Sequence, residues 1–591
     1  MKNRSEIEEK YKWDLSKFCV SNEECKLEAE KLKNFGSIMQ KYENKLADDD
    51  MLLNFWKDYD KYLLKLMNLG LYVQNKQSED LSLSSSNELE SMLTRIETEN
   101  AEKLSFSDVE ISKFSYKKLN ALYKNERFKD YKPLIKQYIR AKKHTLSKRE
   151  EKLLSGLGDM SQSNALIMQM FCDADAEYED VLDENGKTHV LNDINYEIFI
   201  EGTDRVLREN SKNNYLKEYA KHINFLSENF ITNIKRDCYF AKVRKFKSAL
   251  EASLYSDEIP ISIYNKLIEM VHKFLKVDQR YFEVKRKMLK LDTFCDFDLY
   301  AKLGEENDKN ISFEEALEIS KKALSPLGED YVKFLDIAQK EKWFDVYPNK
   351  NKRGGAYETA CYGKTPIILL NFTGKEEYCS TIVHEFGHAM HSKLTNDKQS
   401  LHNSNYTIFA AEVASIVNEM LLARFRLNNA KTKQEKIKIL DKILSLSHGT
   451  VFRQVMFSEF EKIVHEKYEK GEPLSKDKLC NIYGDLCKLY FGENVVLNKN
   501  IDCEWAYISH FYTSFYVFTY ATGFICATLI SKKLLENNQY REKYFNFLSG
   551  GCSKSPIELL KDAGIDLEKD ENIEEVFKYL SDLIDEFEKL C

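Results

Sequence analysis

Along most of the chain apolar residues recur every three and four positions, the spacing that lines one face of an α-helix. The run LLNFWKDYDKYLLKLMNLGLYV at 52–73 shows it clearly, and from Glu6 to about Tyr178 the pattern predicts successive amphipathic helices. Helical spacing resumes near Asp204, with NNYLKEYAKHINFLSENFITNIKRDCYFAKVRKF as the clearest run, and returns after Gly374 almost to Cys591. Two stretches interrupt it. In AEYEDVLDENGKTHVLN, short extended runs flank Asn185-Gly186, a dipeptide suited to both positive φ angles of a type I′ turn, so a small hairpin is expected. In RGGAYETACYGKTPIILLNFTG, glycines, a proline and the apolar run Pro366 to Phe372 replace helical spacing and predict a loop followed by a strand.

Composition sharpens this picture. Proline is scarce at 7 residues, and only Pro133 precedes Pro260, so nearly half the chain lacks the strongest helix breaker. The fold class expected is mainly α: a large helical body with a small β-sheet. With 591 residues it exceeds one ordinary domain. The divisions expected are 1–115, an N-terminal helical region; 116–200, a helical cap ending in the hairpin; and 201–591, which carries the candidate chemistry. No repeat of fixed period and no low-complexity tract is seen.

The net charge of -8, with both signs interspersed, argues against nucleic acid as a partner. No segment has the apolar length of a membrane span, and the N-terminus has no apolar leader core. Thirteen scattered cysteines, an odd number without a CxxC pair, fit a reducing compartment, and a cytoplasmic location is expected. The oligomeric state is not set by the sequence.

The candidate chemistry lies in TIVHEFGHAMHS, 381–392, which holds three of the eleven histidines. His384 and His388 are at i and i+4 and share a helix face, with Glu385 between them. HExxH is the zinc-hydrolase pattern: two neutral imidazoles hold Zn²⁺ and the carboxylate takes a proton from the water that the ion acidifies. The same chemistry tolerates other divalent ions such as manganese or cobalt. Catalytic zinc needs a third protein ligand. FAAEVASIVNEMLLARF reads as a helix with Glu412 and Glu419 on one face among apolar neighbours, where an unpaired carboxylate is costly. Glu412 is the expected third ligand, and Glu419 is expected to orient a ligand imidazole through its free ring N–H. His391 is read as supporting or packing, and His402 as a loop residue.

These motifs resemble the oligoendopeptidase F branch of the thimet-oligopeptidase superfamily of zinc metallopeptidases. The resemblance extends in order through YKWDLSKF, SALEASLYSDEIPISIYNKLI, GGAYETACYGKTPIILLNFTG, ISHFYTSFYVFTYATG and SPIELLKDAGID, and so covers essentially the whole chain. It implies His384, His388 and Glu412 as zinc ligands, Glu385 as general base, and 201–591 as the catalytic domain. It also implies short unstructured oligopeptides as substrates, a deep cleft that limits their length, and cleavage at internal bonds. In ISHFYTSFYVFTYATG, aromatic composition alone reads as a core helix, whereas the resemblance makes His510 and Tyr516 donors to the tetrahedral oxyanion, with Tyr520 as a further catalytic candidate and Tyr512 in substrate binding. Gly354, Gly355, Ala356 and Tyr357 are expected to form a loop closing on peptide, and TPIILLNF to offer a strand edge to it. Thr359, Ala360 and Cys361 depart from the smaller residues expected there and raise the prospect of a thiol near the site.

Two other classes are weighed. A helical peptide-binding scaffold with a structural HExxH is opposed by the completeness of the set. A cysteine hydrolase is opposed by the lack of any cysteine in a nucleophile context.

Overall fold

The computed structural model describes residues 2–155, 157–303 and 310–591. Its contacts gather into two compact units, each built from three segments: Met1–Lys148, Asp308–Leu422 and Ile530–Gly564 in the first, Arg149–Asn307, Ala423–Leu529 and Ile565–Cys591 in the second. The boundaries expected at 115 and 200 are sequential, whereas these units are interleaved along the chain. Helices dominate both, and the sheets are small. Among the described residues no helix is long and apolar enough to cross a membrane, and all thirteen cysteines are free.

In the first unit the periodic run at 52–73 lies within a helix of 31 residues, Asp49–Glu79, whose N-terminal amides are capped by Asp48. Its first turns bury Leu52, Phe55 and Trp56 against Phe128 and Tyr131, with the Trp56 and Tyr131 rings stacked at 5.0 Å. Its later turns bury Leu69, Tyr72 and Val73 with Leu89, Leu93 and Ile96, and Ile367 and Leu369 of the sheet complete that core.

The sheet has three strands. Ile367–Leu369 is central, paired parallel to Phe344–Asp345 and antiparallel to Tyr357–Thr359. The strand expected to offer a free edge is therefore occupied on both sides, and the edge strands are Phe344–Asp345 and Tyr357–Thr359. Its apolar run, buried throughout, is what a central strand requires. Asp345 is buried with Arg4 at 2.6 Å and Lys352 at 2.7 Å, and Lys352 Nζ also donates to the carbonyls of Tyr347 and Leu370. That cation ties the loop before the edge strand to the sheet.

In the second unit the expected hairpin is present, with Val181 opposite His189 and Leu182 opposite Thr188. Its turn is not type I′, because only Gly186 takes a positive φ, +77°. The Asp183 carboxylate accepts the amides of Asn185 and Lys187, both at 2.9 Å, which holds Asn185 in the ordinary region and leaves the left-handed step to the glycine.

The same unit encloses a charged centre. Glu504 accepts from Lys212 at 2.7 Å, Arg453 at 2.7 Å and the Tyr483 hydroxyl at 2.9 Å. Burial works against its charge, but Arg453 and Lys212 outweigh that and hold the carboxyl down at about 2. Glu504→Gln leaves two buried cations without their counter-charge and is expected to destabilise this unit by about 3–5 kcal/mol. Denaturant unfolding of the full chain measures it, and an unchanged transition midpoint would refute the role.

Candidate metal centre

The helix Cys379–Lys398 carries HEFGH and packs on the helix Ile408–Asn429. Asn418 lashes them together, its Nδ2 donating to the Val383 carbonyl at 2.9 Å. Their approach is set by Gly387: a Cβ there would lie 2.7 Å from Ser415 Cα and 2.8 Å from the Ala414 carbonyl oxygen, so only hydrogen fits. Glu412 lies one turn before this crossing, opposite the two histidines.

The result is a convergence of three ligand atoms. His384 Nε2 and His388 Nε2 are 3.3 Å apart, and Glu412 Oε2 lies 3.7 and 3.9 Å from them. In tetrahedral zinc with bonds of about 2.0–2.1 Å, adjacent ligand atoms stand about 3.3 Å apart, so this triangle needs only small side-chain shifts to take the ion. The donor chemistry agrees. His384 Nδ1 donates to Glu419 Oε2 at 3.2 Å, which leaves the Nε2 lone pair facing the centre, and Ser380 fixes the other oxygen of Glu419 at 2.8 Å. Ser415 Oγ donates to Glu412 Oε2 at 3.1 Å. Burial lowers the proton affinity of His384, but Glu419 overcomes it and the net shift is upward. His388 is pushed down to about 4, first by burial and then by His384, and is neutral at pH 7.

Glu385 is buried beside this triangle. Burial, with Glu412 and Glu419 adding to it against His384, raises its carboxyl to about 7. Next to it on the edge strand is Glu358, raised to about 8 by burial and by Glu385, with Oε1 buried and unpartnered. The sequence reading missed Glu358, since one glutamate in a short strand carries no pattern. His391 is fully buried, its ring stacked on Tyr406 at 3.8 Å and its proton affinity pushed by burial down to about 3. It is packing behind the centre. His402 closes a turn and bonds Asp60 at 2.7 Å.

The loop ahead of the edge strand has Gly354 and Gly355 exposed, Gly355 at φ +76°, and Asn371 Nδ2 donates to the Arg353 and Gly355 carbonyls at 3.0 and 2.8 Å. Ala356 is half-buried. The Tyr357 hydroxyl donates to Asn75 at 2.9 Å and its ring packs into the N-terminal core near Trp13. Cys361 is buried with its thiol pushed up to about 11, so it supplies no nucleophile.

His510, Tyr516 and Tyr520 belong to the second unit. They do not form a continuous helix: His510 lies in the 3-10 turn Ser509–Tyr512, Tyr516 in a loop, and Tyr520 at the start of the helix Phe518–Glu536. They still form one group, with His510 Nε2 3.4 Å from the Tyr520 hydroxyl, the His510 and Tyr516 rings parallel at 6.3 Å, and the Tyr516 and Tyr520 rings at 5.3 Å. His510 is lowered by burial. Tyr512 departs from the expectation of substrate binding: it is buried against Phe230, and its hydroxyl accepts from Asn229 at 3.1 Å.

Between these residues Phe515 adopts φ +62°, an unfavourable region for a bulky side chain. Its N–H donates to Glu461 at 3.0 Å, the Ser514 hydroxyl donates to Asp237 at 2.6 Å, Ser253 donates to the Ser514 carbonyl at 3.1 Å, and the His465 ring covers the Phe515 ring at 4.6 Å. Glu461 is fully buried and burial holds it protonated far above the usual carboxylate range. None of these contacts was foreseen, because they bring together distant segments of the chain.

The chain matches peptidase family M3 over residues 198–579 and oligopeptidase F over 110–178. It is 35% identical to oligopeptidase PepF of Bacillus subtilis over 591 residues, covering 100% of this chain and 88% of the relative. It is 33% identical to an oligoendopeptidase F homolog of Borreliella burgdorferi, covering 100% of both. A crystal structure from Chlamydophila abortus superposes at TM-score 0.94 with 31% identity over 100% of both chains, and that of oligoendopeptidase-F from Enterococcus faecium at 0.73 with 28% identity over 96% of this chain and 98% of that one.

Gly387→Ala forces the two helices apart where Glu412 must reach the histidines. The expected cost is about 1–3 kcal/mol in stability, with weaker zinc retention in equilibrium dialysis. Unchanged zinc affinity would show that the crossing does not set the ligand triangle.

Proposed function

Taking as premise that the chain belongs to peptidase family M3 and is a metalloendopeptidase, we propose that it hydrolyses internal bonds of short unstructured oligopeptides with one zinc ion held by His384, His388 and Glu412. The observation that carries this reading is the convergence of two imidazole nitrogens and a carboxylate on one point, with a second carboxyl, Glu385, buried beside it. When bound, zinc polarises the scissile carbonyl and lowers the pKa of water toward neutrality.

The chain's own residues supply the rest. Glu385 takes the proton of the attacking water and returns it to the leaving amine, a shuttle suited to a carboxyl whose proton affinity burial has raised. Glu419 keeps the His384 proton on Nδ1, so that Nε2 stays free to bind. His510 and Tyr516 donate to the oxyanion, with Tyr520 supporting His510 through their contact. Peptide lies along the edge strand Tyr357–Thr359, where backbone hydrogen bonds bind regardless of side chains. The substrate is accordingly chosen by extended conformation more than by residue type.

Glu385→Gln tests the reading. It is expected to keep its zinc and to lose roughly 10²–10⁴-fold in turnover of an internally quenched short peptide. Tight peptide binding without turnover by the zinc-loaded wild type would instead mark a peptide-binding protein. The pH profile gives a second test. The base works only when ionised, so kcat/KM falls as pH drops through the Glu385 pKa; bound cation lowers that pKa from its value of about 7 in the bare site. The acid limb is therefore expected below pH 7, and a midpoint above it would remove Glu385 from the role.

A further inference from the structure

A second group of metal-binding side chains lies in the other unit. Cys480 is on the helix Lys476–Phe491, and Asp502 and Cys503 are on the 3-10 turn Ile501–Tyr507. Their ligand atoms all lie within 4.8 Å of one another, and the two sulfurs are 3.8 Å apart. In tetrahedral zinc with Zn–S bonds of about 2.3 Å, two thiolates stand about 3.8 Å apart, so the pair is already at the required separation.

Three further features distinguish this from two cysteines packed as small hydrophobes. A carboxylate, rather than an apolar side chain, completes the triangle, and Asp502 is half-buried, so the group opens to solvent on its side. Gly484, one turn beyond Cys480, admits the turn closely: a Cβ there would meet Asp502 Cβ at 3.2 Å. Trp505, two residues beyond Cys503, is 2% exposed, and its indole N–H is buried next to Cys480 without an acceptor in hydrogen-bond geometry. An orphaned buried donor costs free energy unless an acceptor is supplied, and a metal-bound thiolate is one.

We propose that Cys480, Asp502 and Cys503 form a structural site for zinc or a similar thiophilic divalent ion, separate from the histidine centre, with Trp505 donating to the Cys480 thiolate. Binding releases the two thiol protons to solvent, and water fills the fourth position. The ion joins the helix Lys476–Phe491 to the turn that leads into His510, and so braces the approach to the His510, Tyr516 and Tyr520 group.

Cadmium tests this on the full, reduced, metal-free chain, because its thiolate charge-transfer absorption in the ultraviolet reports sulfur ligands, which this soft ion prefers, and is silent at a site of histidine and glutamate. One equivalent is expected to produce the band, and added zinc to abolish it. Cys503→Ser is expected to lose the band, and Trp505→Phe to weaken cadmium binding by roughly 10–100-fold. Asp502→Asn, at a half-exposed position that tolerates the change, is expected to weaken it as well. No band at one equivalent, a band of equal size in Cys503→Ser, or unchanged affinity in Asp502→Asn would each overturn the site.

Discussion

At Gly387 the histidine helix meets Ser415 and Ala414 with room for nothing larger than hydrogen. That crossing brings Glu412 within 4 Å of both imidazoles and lets Glu419 reach His384 Nδ1 on the same face. HExxH places two imidazoles on one helix, but the carboxylate that meets them comes from another, and its distance is a matter of helix packing. The Asn418 bond to Val383 fastens the same two helices, whose Phe386, Val413 and Val417 are fully buried. A single absent side chain thus governs the geometry of the centre.

The electrostatics follow from that closeness. Glu385, Glu412 and Glu419 are gathered around two histidines, with Glu358 beside Glu385. Without a cation this concentration of carboxyls in a partly dry site is unfavourable, and the raised proton affinities of Glu385 and Glu358 express the strain. A divalent ion relieves it. Burial first, and then Glu412 and Glu419, raise the proton affinity of Glu385, so the crowding of carboxyls that would favour a cation is the same crowding that shifts this group.

Much of this was legible in the sequence because it is local. Helix periodicity predicted the long helices, and the i, i+4 spacing of His384 and His388 with the apolar setting of Glu412 and Glu419 predicted which side chains would converge. What was not legible is non-local. TPIILLNF reads as a strand from its own residues, but whether it is central or at an edge depends on Phe344–Asp345 and Tyr357–Thr359, paired to it across loops. Asn185-Gly186 marked a turn correctly, yet Asp183 chose its type through its carboxylate. Tyr512 shares its composition with Tyr516, and only the placement of Asn229 and Phe230 separates a buried tyrosine from a half-exposed one.

The turn at Phe515 carries the same lesson into energetics. A phenylalanine at φ +62° costs of order 1–3 kcal/mol, and glycine would remove that cost. Phenylalanine instead contributes a ring that His465 and Tyr264 enclose, while its N–H and the adjacent Ser514 are held by Glu461, Asp237 and Ser253. A glycine there would restore freedom to the segment joining His510 to Tyr516. The conformation of this segment is therefore set by long-range contacts, the buried Glu461 foremost, against the local preference of its own residue.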